Sequence, residues 1–292
     1  MVFKRQTQGS VVCPTCGRLV GVQDEECFGC GRKRPGLWGF APAIKGSLGD
    51  SSLSAVVTYG CVGIYVVACL LNPQALMESR GFLSLFSPGS LELFLLGSSG
   101  HYPISEFGRW WTILSATWLH GGLLHIFFNL HWLRHLLPGV EKLFGTGRAA
   151  VIYVLSGAVG FLGTSAMYSL GLPGILQGAM VTVGASASLC GLLGAFLAYG
   201  HVNRDWMMQK SVRTMGLWIL GFGLIFPGID NWAHIFGFIG GYGVARALKP
   251  RDGEAAIHLV AGGVLILVSL LAIGWSVVDG LEVYNNTKAA GY

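Results

Sequence analysis

Two sets of side chains in this sequence have types and spacings that suit chemistry. One is the serine-containing stretch Val181–Ala195, VTVGASASLCGLLGA, and the other is a group of four cysteines near the N-terminus. The serine stretch is apolar enough to lie in a bilayer, where serine and glycine also serve close helix packing. Its hydroxyls, on Ser186 and Ser188, become candidates for chemistry only if a base lies on a neighbouring helix.

Histidine and asparagine occur in two other apolar segments. His125 and Asn129 in HGGLLHIFFNLHW are four residues apart and share one helix face, with His120 just before them. His234 lies about one turn into NWAHIFGFIGGYGVA. A single such residue in a membrane helix is most often a hydrogen-bond partner for its neighbours. Four of them in segments that can meet indicate function, because ionisable groups inside a bilayer are costly.

Serine and histidine together suffice for nucleophilic catalysis. The imidazole removes the hydroxyl proton as the serine attacks a carbonyl, and it then protonates the leaving amine. The oxyanion that forms needs preorganised donors, each worth ~3 kcal/mol of transition-state stabilisation. The His125 imidazole, the Asn129 amide and the Ser186 backbone N–H are the candidates, since N–H groups in a first helical turn have no acceptor within the helix.

The elements that must position these residues are membrane helices. The 292 residues are 52% hydrophobic and only 11% charged, whereas soluble domains carry about 25% charged residues. Because a helix needs about 20 apolar residues to cross a bilayer, the sequence predicts an all-α polytopic membrane protein with seven spans. Their approximate bounds are Leu53–Leu71, Ile113–Leu137, Ala149–Leu172, Gly184–His201, Thr214–Phe226, Trp232–Leu248 and Ile257–Val278.

The positions of Lys and Arg predict the orientation of these spans. With a cytoplasmic N-terminus, all 19 basic residues except Arg80, Arg109 and Lys288 fall on the cytoplasmic side, as the positive-inside rule requires. The second, fourth and sixth spans then begin at the outer face. Their polar residues can therefore meet at similar depth. Small residues every four positions, Ala187–Gly191–Ala195 and Ala233–Gly237–Gly241–Ala245, indicate close contact between the fourth and sixth spans.

The four cysteines Cys13, Cys16, Cys27 and Cys30 have the spacing of a tetrahedral metal site. Gly17 and Gly31 follow the second cysteine of each pair and permit a tight turn. We expect the four cysteines to bind a structural Zn²⁺ ion, with iron and a redox role as alternatives. We do not expect disulfides, because they are rare in the cytoplasm. So small a module needs its metal to fold. The expected domains are a zinc ribbon at 1–35, a linker at 36–52, the membrane domain at 53–278 and a tail at 279–292.

Together these residues resemble the rhomboid family of intramembrane serine proteases. The resemblance spans roughly Leu53–Val278 and depends on HGGLLHIFFN, on GAS and on AHIFG in a later span. It implies a rhomboid-like bundle of six core helices plus one, the seventh span. It also implies roles for five side chains: Ser186 as nucleophile, His234 as general base, His125 and Asn129 at the oxyanion site, and His120 as their support through hydrogen bonds and water.

Three positions depart from the family pattern. Ala187 stands where the family usually has glycine, and Cys190 where it usually has an aromatic residue against the histidine ring. Trp111 is followed by Thr112 rather than by arginine, although Arg109 is near enough to substitute.

Other residues compete for the catalytic roles. Ser188 points about 200° around the helix from Ser186, and Cys190 lies one turn further along. Asp230 is a candidate third catalytic residue, but we expect a solvated loop carboxylate. The apolar loop Asn72–Gly108 is too short to span and fits an interfacial or re-entrant segment, or simple packing.

The sequence thus predicts an integral cell-membrane endopeptidase with a Ser-His dyad near the outer face. Its substrates would be single-span proteins with weak helix formers near that face, because a peptide bond must leave its helix to be hydrolysed. The alternative is a catalytically inactive rhomboid-like protein that binds client transmembrane helices. A solute carrier lacks support, since paired internal repeats are missing. The zinc ribbon could bind a cytoplasmic partner; we do not expect nucleic acid, because the basic GRKRPG next to the membrane suits orientation or anionic lipid.

Overall fold

The computed structural model is mostly helical. It describes residues 5–13, 16–40, 52–77, 85–226, 228–248 and 254–289. Most of the predicted linker, Arg80 and the last residues of the predicted tail lie outside these ranges. The length and apolar composition of its helices indicate an integral membrane protein.

The helices of the described residues are numbered in chain order. Nine α-helices are present in this part of the chain: α1 Ser52–Leu71, α2 Ser90–Leu96, α3 Thr112–Ser115, α4 Leu123–Phe144, α5 Thr146–Ser169, α6 Ser186–Val202, α7 Trp206–Ile225, α8 Asn231–Ala247 and α9 Ala256–Ala289. Shorter turns of helix are 3-10 at Leu37–Gly39, Ala75–Met77, Ala116–Trp118 and Gly174–Leu176, and π at Tyr102–Glu106.

Only some of these helices can be assigned to the bilayer by length and composition. Within the described residues, three helices are long and apolar enough to cross: Leu53–Leu71, Thr146–Ser169 and Ala256–Val283. A fourth is added if the pair Thr112–Trp118 and Leu123–Phe144 forms one span. Helices α6 and α8 have 17 residues each, and α7 carries Lys210 and Arg213. The seven-span count therefore stays a prediction.

The second predicted span is not one continuous helix. Its two parts are bent by 92°, because Leu119 has extended backbone angles and α4 begins only after Gly122. We expected Ile113–Leu137 to be a single helix, and this was wrong. The consequence is that His120 lies in the break before α4, whereas His125 and Asn129 lie on α4 itself.

Helices α5, α6 and α8 form the tightly packed centre of the bundle. At Gly237 of α8 a β-carbon would lie 2.9 Å from the carbonyl carbon of Ala187 on α6, and at Gly160 of α5 it would lie 2.8 Å from the Ala187 methyl. Such spacing requires glycine, because a real β-carbon is not found under 3.0 Å from another heavy atom. The contact that the small-residue pattern predicted between the two helices is present, and α5 packs against both.

The N-terminal part is a small two-stranded module. Strands β1 Ser10–Val12 and β2 Leu19–Gly21 pair antiparallel, with Val11 opposite Val20. Val11, Val20 and Val22 form its core together with Cys13 and Cys27. The Gln6 N–H donates to the Gly39 carbonyl at 2.8 Å. The residues around the turn Leu37–Gly39, which we expected to belong to a linker, are therefore hydrogen-bonded to the start of the module.

Candidate active site and metal-binding cluster

Hydrogen bonds bring the starts of α4, α6 and α8 to the same end of the bundle. The Gly184 N–H, just before α6, donates to the Ala116 carbonyl at 2.9 Å. Asp230, just before α8, accepts from the Thr164 hydroxyl near the end of α5 at 2.9 Å. Because α5 runs opposite to these helices, the polar residues in their first turns lie at the same end of the bundle. Their depth in the membrane and the orientation of the spans stay predictions.

Ser186 is the first residue of α6 and is half-buried. The first intrahelical acceptor here is the Ala185 carbonyl, which receives the Leu189 N–H at 2.9 Å. The Ser186 N–H therefore has no acceptor within the helix. Ser186 thus brings a half-buried hydroxyl and a backbone N–H without an intrahelical acceptor to the start of α6.

The proton on His125 can be placed from its hydrogen bond. The Gly121 N–H lies 3.2 Å from His125 Nδ1. A backbone N–H can only donate, so Nδ1 must accept, and the proton of the neutral ring lies on Nε2. A β-carbon at Gly184 would be 2.7 Å from this Nε2 and 3.6 Å from the Ser186 Oγ. The His125 donor and the Ser186 hydroxyl thus flank the same glycine.

His234 lies on α8 and is buried, at 8% exposure. It is close enough to His125 for the two side chains to interact electrostatically. Its Nδ1 is buried with no hydrogen-bond partner in the described part of the chain. The described hydrogen bonds include none between His234 and Ser186. Their neighbours Ala233 and Ala187 belong to one buried cluster.

Asn129 and His120 have surroundings that the sequence did not predict. The Asn129 amide donates to the His125 carbonyl on its own helix at 2.9 Å, which leaves its second N–H for other partners. The buried His120 ring packs edge-on against His125, with 5.2 Å between the ring centroids. Neither of its ring nitrogens has a hydrogen-bond partner among the residues that the structure describes.

The competing residues are occupied elsewhere. Ser188 is fully buried and its hydroxyl lies 3.0 Å from the Thr117 hydroxyl. Asp230 is the N-cap of α8, because its side chain accepts from the Ala233 N–H at 2.9 Å. We expected a solvated loop carboxylate, but burial raises the pKa of Asp230 from its usual value. An aspartate directly before an apolar helical run is an N-cap signal that the sequence already carried.

The structure also shows the surroundings of the residues at which the sequence departs from the family pattern. The Ala187 methyl fits because residue 160 is glycine. Cys190 is buried at 5% exposure, and among the described residues no aromatic ring pairs with His234. Arg109 is fully buried and does not face the candidate site. It forms an ion pair with Asp279 of α9 at 2.8 Å, so it attaches the loop before α3 to the last helix.

The four cysteines of the N-terminal module form one cluster. Their Sγ atoms all lie within 4.8 Å of one another, with 3.8 Å between Cys13 and Cys30 and 3.6 Å between Cys16 and Cys27. Four thiolates at a Zn–S distance of about 2.3 Å in a tetrahedron are about 3.8 Å apart. The residues present therefore fit a metal ion of that kind, although the geometry alone does not identify the metal.

Hydrogen bonding and burial act oppositely on two of these thiols. The Gly29 N–H lies 3.4 Å from the Cys27 Sγ, and this backbone hydrogen bond is the main cause that lowers the pKa of Cys27 to about 7. Burial raises the pKa of Cys30 to about 12. A bound cation would favour the thiolate at every position.

Comparison with known proteins gives matches over much of the helical part. Residues 107–251 match the Rhomboid domain. This segment contains Ser186, His234, His125, Asn129 and His120, and with the rhomboid-named relatives it supports the rhomboid family for this chain.

Among the relatives, RHOMBOID-like protein 4 of Arabidopsis thaliana is 30% identical over 69% of this chain and 53% of its own length. The Rhomboid protease GluP of Bacillus subtilis (strain 168) is 34% identical over 58% of this chain and 31% of its own. The Inactive RHOMBOID-like protein 8 of Arabidopsis thaliana is 32% identical over 53% and 43%. The chain thus matches about half the length of these relatives or less. Their names include both a protease and an inactive protein, so activity has to be argued from the site.

Proposed function

We propose that this protein is an intramembrane serine endopeptidase that cleaves transmembrane helices of other membrane proteins near the outer face. The observation that carries the proposal is the convergence of Ser186, His125 and His234 where α4, α6 and α8 begin. The rhomboid match and the relative named as a protease support it.

Ser186 is the nucleophile in this proposal and His234 is the general base. The His234 Nε2 takes the hydroxyl proton as the Ser186 Oγ attacks the scissile carbonyl carbon. It then gives that proton to the leaving amine, and water repeats the cycle on the acyl-enzyme. The half-buried position of Ser186 at a helix start suits this reaction, because hydrolysis in a membrane needs a site that water can enter.

In this proposal two donors stabilise the oxyanion of the tetrahedral intermediate. One is the His125 Nε2–H, whose proton is fixed by the Gly121 hydrogen bond, and the other is the Ser186 backbone N–H. Asn129 supports the site by donating to the His125 carbonyl and has a second N–H to offer. The buried ring of His120 holds the His125 ring from the side. Loss of one oxyanion donor should lower kcat by a factor of about 10² to 10³.

The second candidate is binding of client transmembrane helices without catalysis. Two observations favour it: no Ser186–His234 hydrogen bond occurs among the described residues, and one relative is named inactive. Catalytic hydrogen bonds are often long in an empty enzyme and shorten with substrate. The retained serine, the two histidines and the tautomer of His125 therefore favour the enzyme.

Cleavage in vesicles tests the proposal. Purified protein is reconstituted with a single-span substrate whose outer turn contains Gly and Pro, and with a matched substrate whose outer turn is all Leu. We expect cleavage of the first only, because weak helix formers let the backbone unwind. Ser186→Ala and His234→Ala should abolish cleavage, whereas Ser188→Ala should retain it. Binding of both substrates with no cleavage by the wild type would instead favour the second candidate.

We further propose that Cys13, Cys16, Cys27 and Cys30 hold a structural Zn²⁺ ion. The fit of the four Sγ atoms to a tetrahedral thiolate site supports this. Metal analysis of purified protein should find about one zinc per chain. Replacement of Cys27 by serine should remove the zinc, and Cys69→Ser in α1 should not. A cluster loaded with iron, or metal content that survives Cys27→Ser, would contradict the assignment.

The proposed orientation places the N-terminal module and this metal in the cytoplasm. The distribution of Lys and Arg supports it. A protease added outside sealed cells should leave an N-terminal tag intact and should digest it after the membrane is opened. We also propose that the module binds a cytoplasmic partner and that the substrates are transmembrane proteins.

A further inference from the structure

The two halves of the metal-binding module repeat the same local structure. In CPTCGR the Gly17 N–H donates to the Cys13 carbonyl at 2.9 Å, and in CFGCGR the Gly31 N–H donates to the Cys27 carbonyl at 2.9 Å. The Cys13 N–H donates to the Arg18 carbonyl and the Cys27 N–H to the Arg32 carbonyl, both at 2.8 Å. Arg18 and Arg32 are thus equivalent residues, each fixed by the turn that presents two thiols.

The two arginines nevertheless have different surroundings. Arg18 is exposed and lies over the Phe28 ring of the other turn, 6.0 Å from its centroid. Arg32 is buried at 8% exposure. Its guanidinium pairs with the Glu254 carboxylate at 3.8 Å, and both side chains are almost inaccessible to solvent. Charged residues are rarely buried unless they are paired, so this contact marks an interface between the module and the helical domain.

Glu254 also contacts the starts of two membrane helices. Its second carboxylate oxygen accepts from the Arg148 N–H in the first turn of α5 at 3.0 Å. At Gly145, the N-cap of α5, a β-carbon would lie 2.6 Å from the carboxylate oxygens. Glu254 itself stands two residues before α9. A carboxylate at a helix N-terminus is favourable because it faces unsatisfied N–H groups and the positive end of the helix dipole.

The same region packs α5 against α9. The Arg148 Nε donates to the His258 Nδ1 on α9 at 3.2 Å. One turn later, a β-carbon at Gly262 of α9 would lie 2.9 Å from the Ala150 methyl of α5. Further along α5, Gly160 packs against Ala187 and Ala233, the neighbours of Ser186 and His234. Helix α5 therefore extends from the contact with the module to the candidate active site.

We propose that metal binding by the N-terminal module and the packing of the starts of α5 and α9 are thermodynamically linked through the Arg32–Glu254 pair. The proposal rests on the four-cysteine metal site proposed above. A bound metal holds the turn Cys27–Arg32 in one conformation, and this turn presents Arg32 to Glu254. Without metal the turn loses its constraint, and Glu254 loses a buried cationic partner. By reciprocity, loss of the pair must weaken metal binding by the same factor.

Hydrogen exchange on the full-length protein in detergent tests the linkage. The readout is the exchange rate of amides in 146–150, which include the Arg148 N–H on Glu254. We expect chelation of the metal to accelerate this exchange at least about fivefold, the low end of typical coupling between sites. The metal content of each sample is measured in parallel.

The matched pair of variants is Arg32→Gln and Arg18→Gln, which remove one positive charge from equivalent positions. In metal-loaded Arg32→Gln, the amides of 146–150 should exchange as fast as they do in wild-type protein from which the metal has been removed. Chelation of the metal should not accelerate this exchange further. Arg18→Gln should behave as the wild type. In competition with a chromophoric chelator, Arg32→Gln should also bind Zn²⁺ at least about fivefold more weakly than Arg18→Gln does.

Each result has one interpretation. Exchange in 146–150 that does not change when a wild-type protein loses its metal overturns the linkage and leaves the metal site standing. An Arg32→Gln variant that still responds to chelation as the wild type does overturns the role of the pair. A wild-type protein that contains and binds no metal overturns both the four-cysteine site and the linkage built on it.

Discussion

The Nε2 of His125 lies against the α-carbon of Gly184, two residues before Ser186. A β-carbon at position 184 would be 2.7 Å from this nitrogen and 2.8 Å from the neighbouring ring carbon. The glycine also has a φ of +131°, a conformation that other residues rarely adopt. The absence of a side chain at Gly184 therefore leaves the space that the His125 ring, the proposed oxyanion donor, occupies.

Replacement of Gly184 by alanine should displace the His125 ring from the position in which it can stabilise an oxyanion. We expect kcat to fall by a factor of about 10² or more, as when one oxyanion donor is removed. Gly171→Ala is the matched control, because Gly171 also has positive φ but a β-carbon there would meet no atom within 4 Å. Steady-state cleavage by the two variants gives the comparison. Equal losses would mean that backbone strain, rather than the His125 ring, accounts for the effect.

Replacement of Ser188 by alanine should affect stability and leave catalysis intact. The Ser188 hydroxyl is buried and shares a hydrogen bond with the Thr117 hydroxyl. Its loss should lower the free energy of unfolding by about 1 to 3 kcal/mol, because the Thr117 hydroxyl then loses its buried hydrogen bond with residue 188. Thermal unfolding in detergent measures the first effect and substrate cleavage the second. A Ser188→Ala variant that folds but no longer cleaves would show that the nucleophile has been misassigned.

The stability effects of substitutions at positions 160 and 187 should depend on each other, because the two residues are in contact. Gly160→Ala adds a methyl 2.8 Å from that of Ala187 and 2.7 Å from the Ala233 carbonyl oxygen. We expect a loss of about 1 to 3 kcal/mol in unfolding free energy from overpacking. Addition of Ala187→Gly should recover part of the loss, since it removes one of the two contacts. Gly216→Ala, which meets nothing within 4 Å, is the control, and additive effects of the two substitutions would argue against direct contact.

Replacement of Arg109 by lysine should loosen the last helix. The guanidinium donates to the Phe94 carbonyl at 2.7 Å and the Ser276 carbonyl at 2.6 Å, and it also pairs with Asp279. A lysine ammonium cannot reproduce this fixed fork of donors, so about 3 kcal/mol of unfolding free energy should be lost, as when a buried pair is broken. Arg134→Lys on the exposed face of α4 is the control. Identical melting of the two variants would refute the anchoring role.

Local patterns in the sequence predicted how the two helices that carry the proposed dyad pack together. Small residues four apart indicated the contact of the helices that carry Ser186 and His234, and the structure has that contact. The start of α6 was placed at Gly184 and occurs at Ser186. These features depend on periodicity and composition within one segment. Assignment of catalytic roles to the individual residues remains a prediction.

Features that depend on distant parts of the chain were not predicted. The tautomer of His125 follows from a backbone N–H made available by the 92° break, which hydropathy does not register because both sides are apolar. Arg109 donates to the Ser276 carbonyl, 167 residues further along the chain, and its ion-pair partner Asp279 is still more distant in sequence. Glu254 joins the metal module to α5 across more than 100 residues, and its neighbours in sequence give no sign of this.

The most direct test of the central claim is covalent labelling with a fluorophosphonate probe, which reacts with activated serines. The labelled position is identified by peptide mass mapping in the wild type, Ser186→Ala, His234→Ala and Ser188→Ala. We predict modification of Ser186 in the wild type and in Ser188→Ala, and none in the other two, because activation requires both the hydroxyl and the imidazole. Labelling that persists in Ser186→Ala, or a wild type that remains unlabelled while it is fully folded, would contradict a Ser186–His234 dyad.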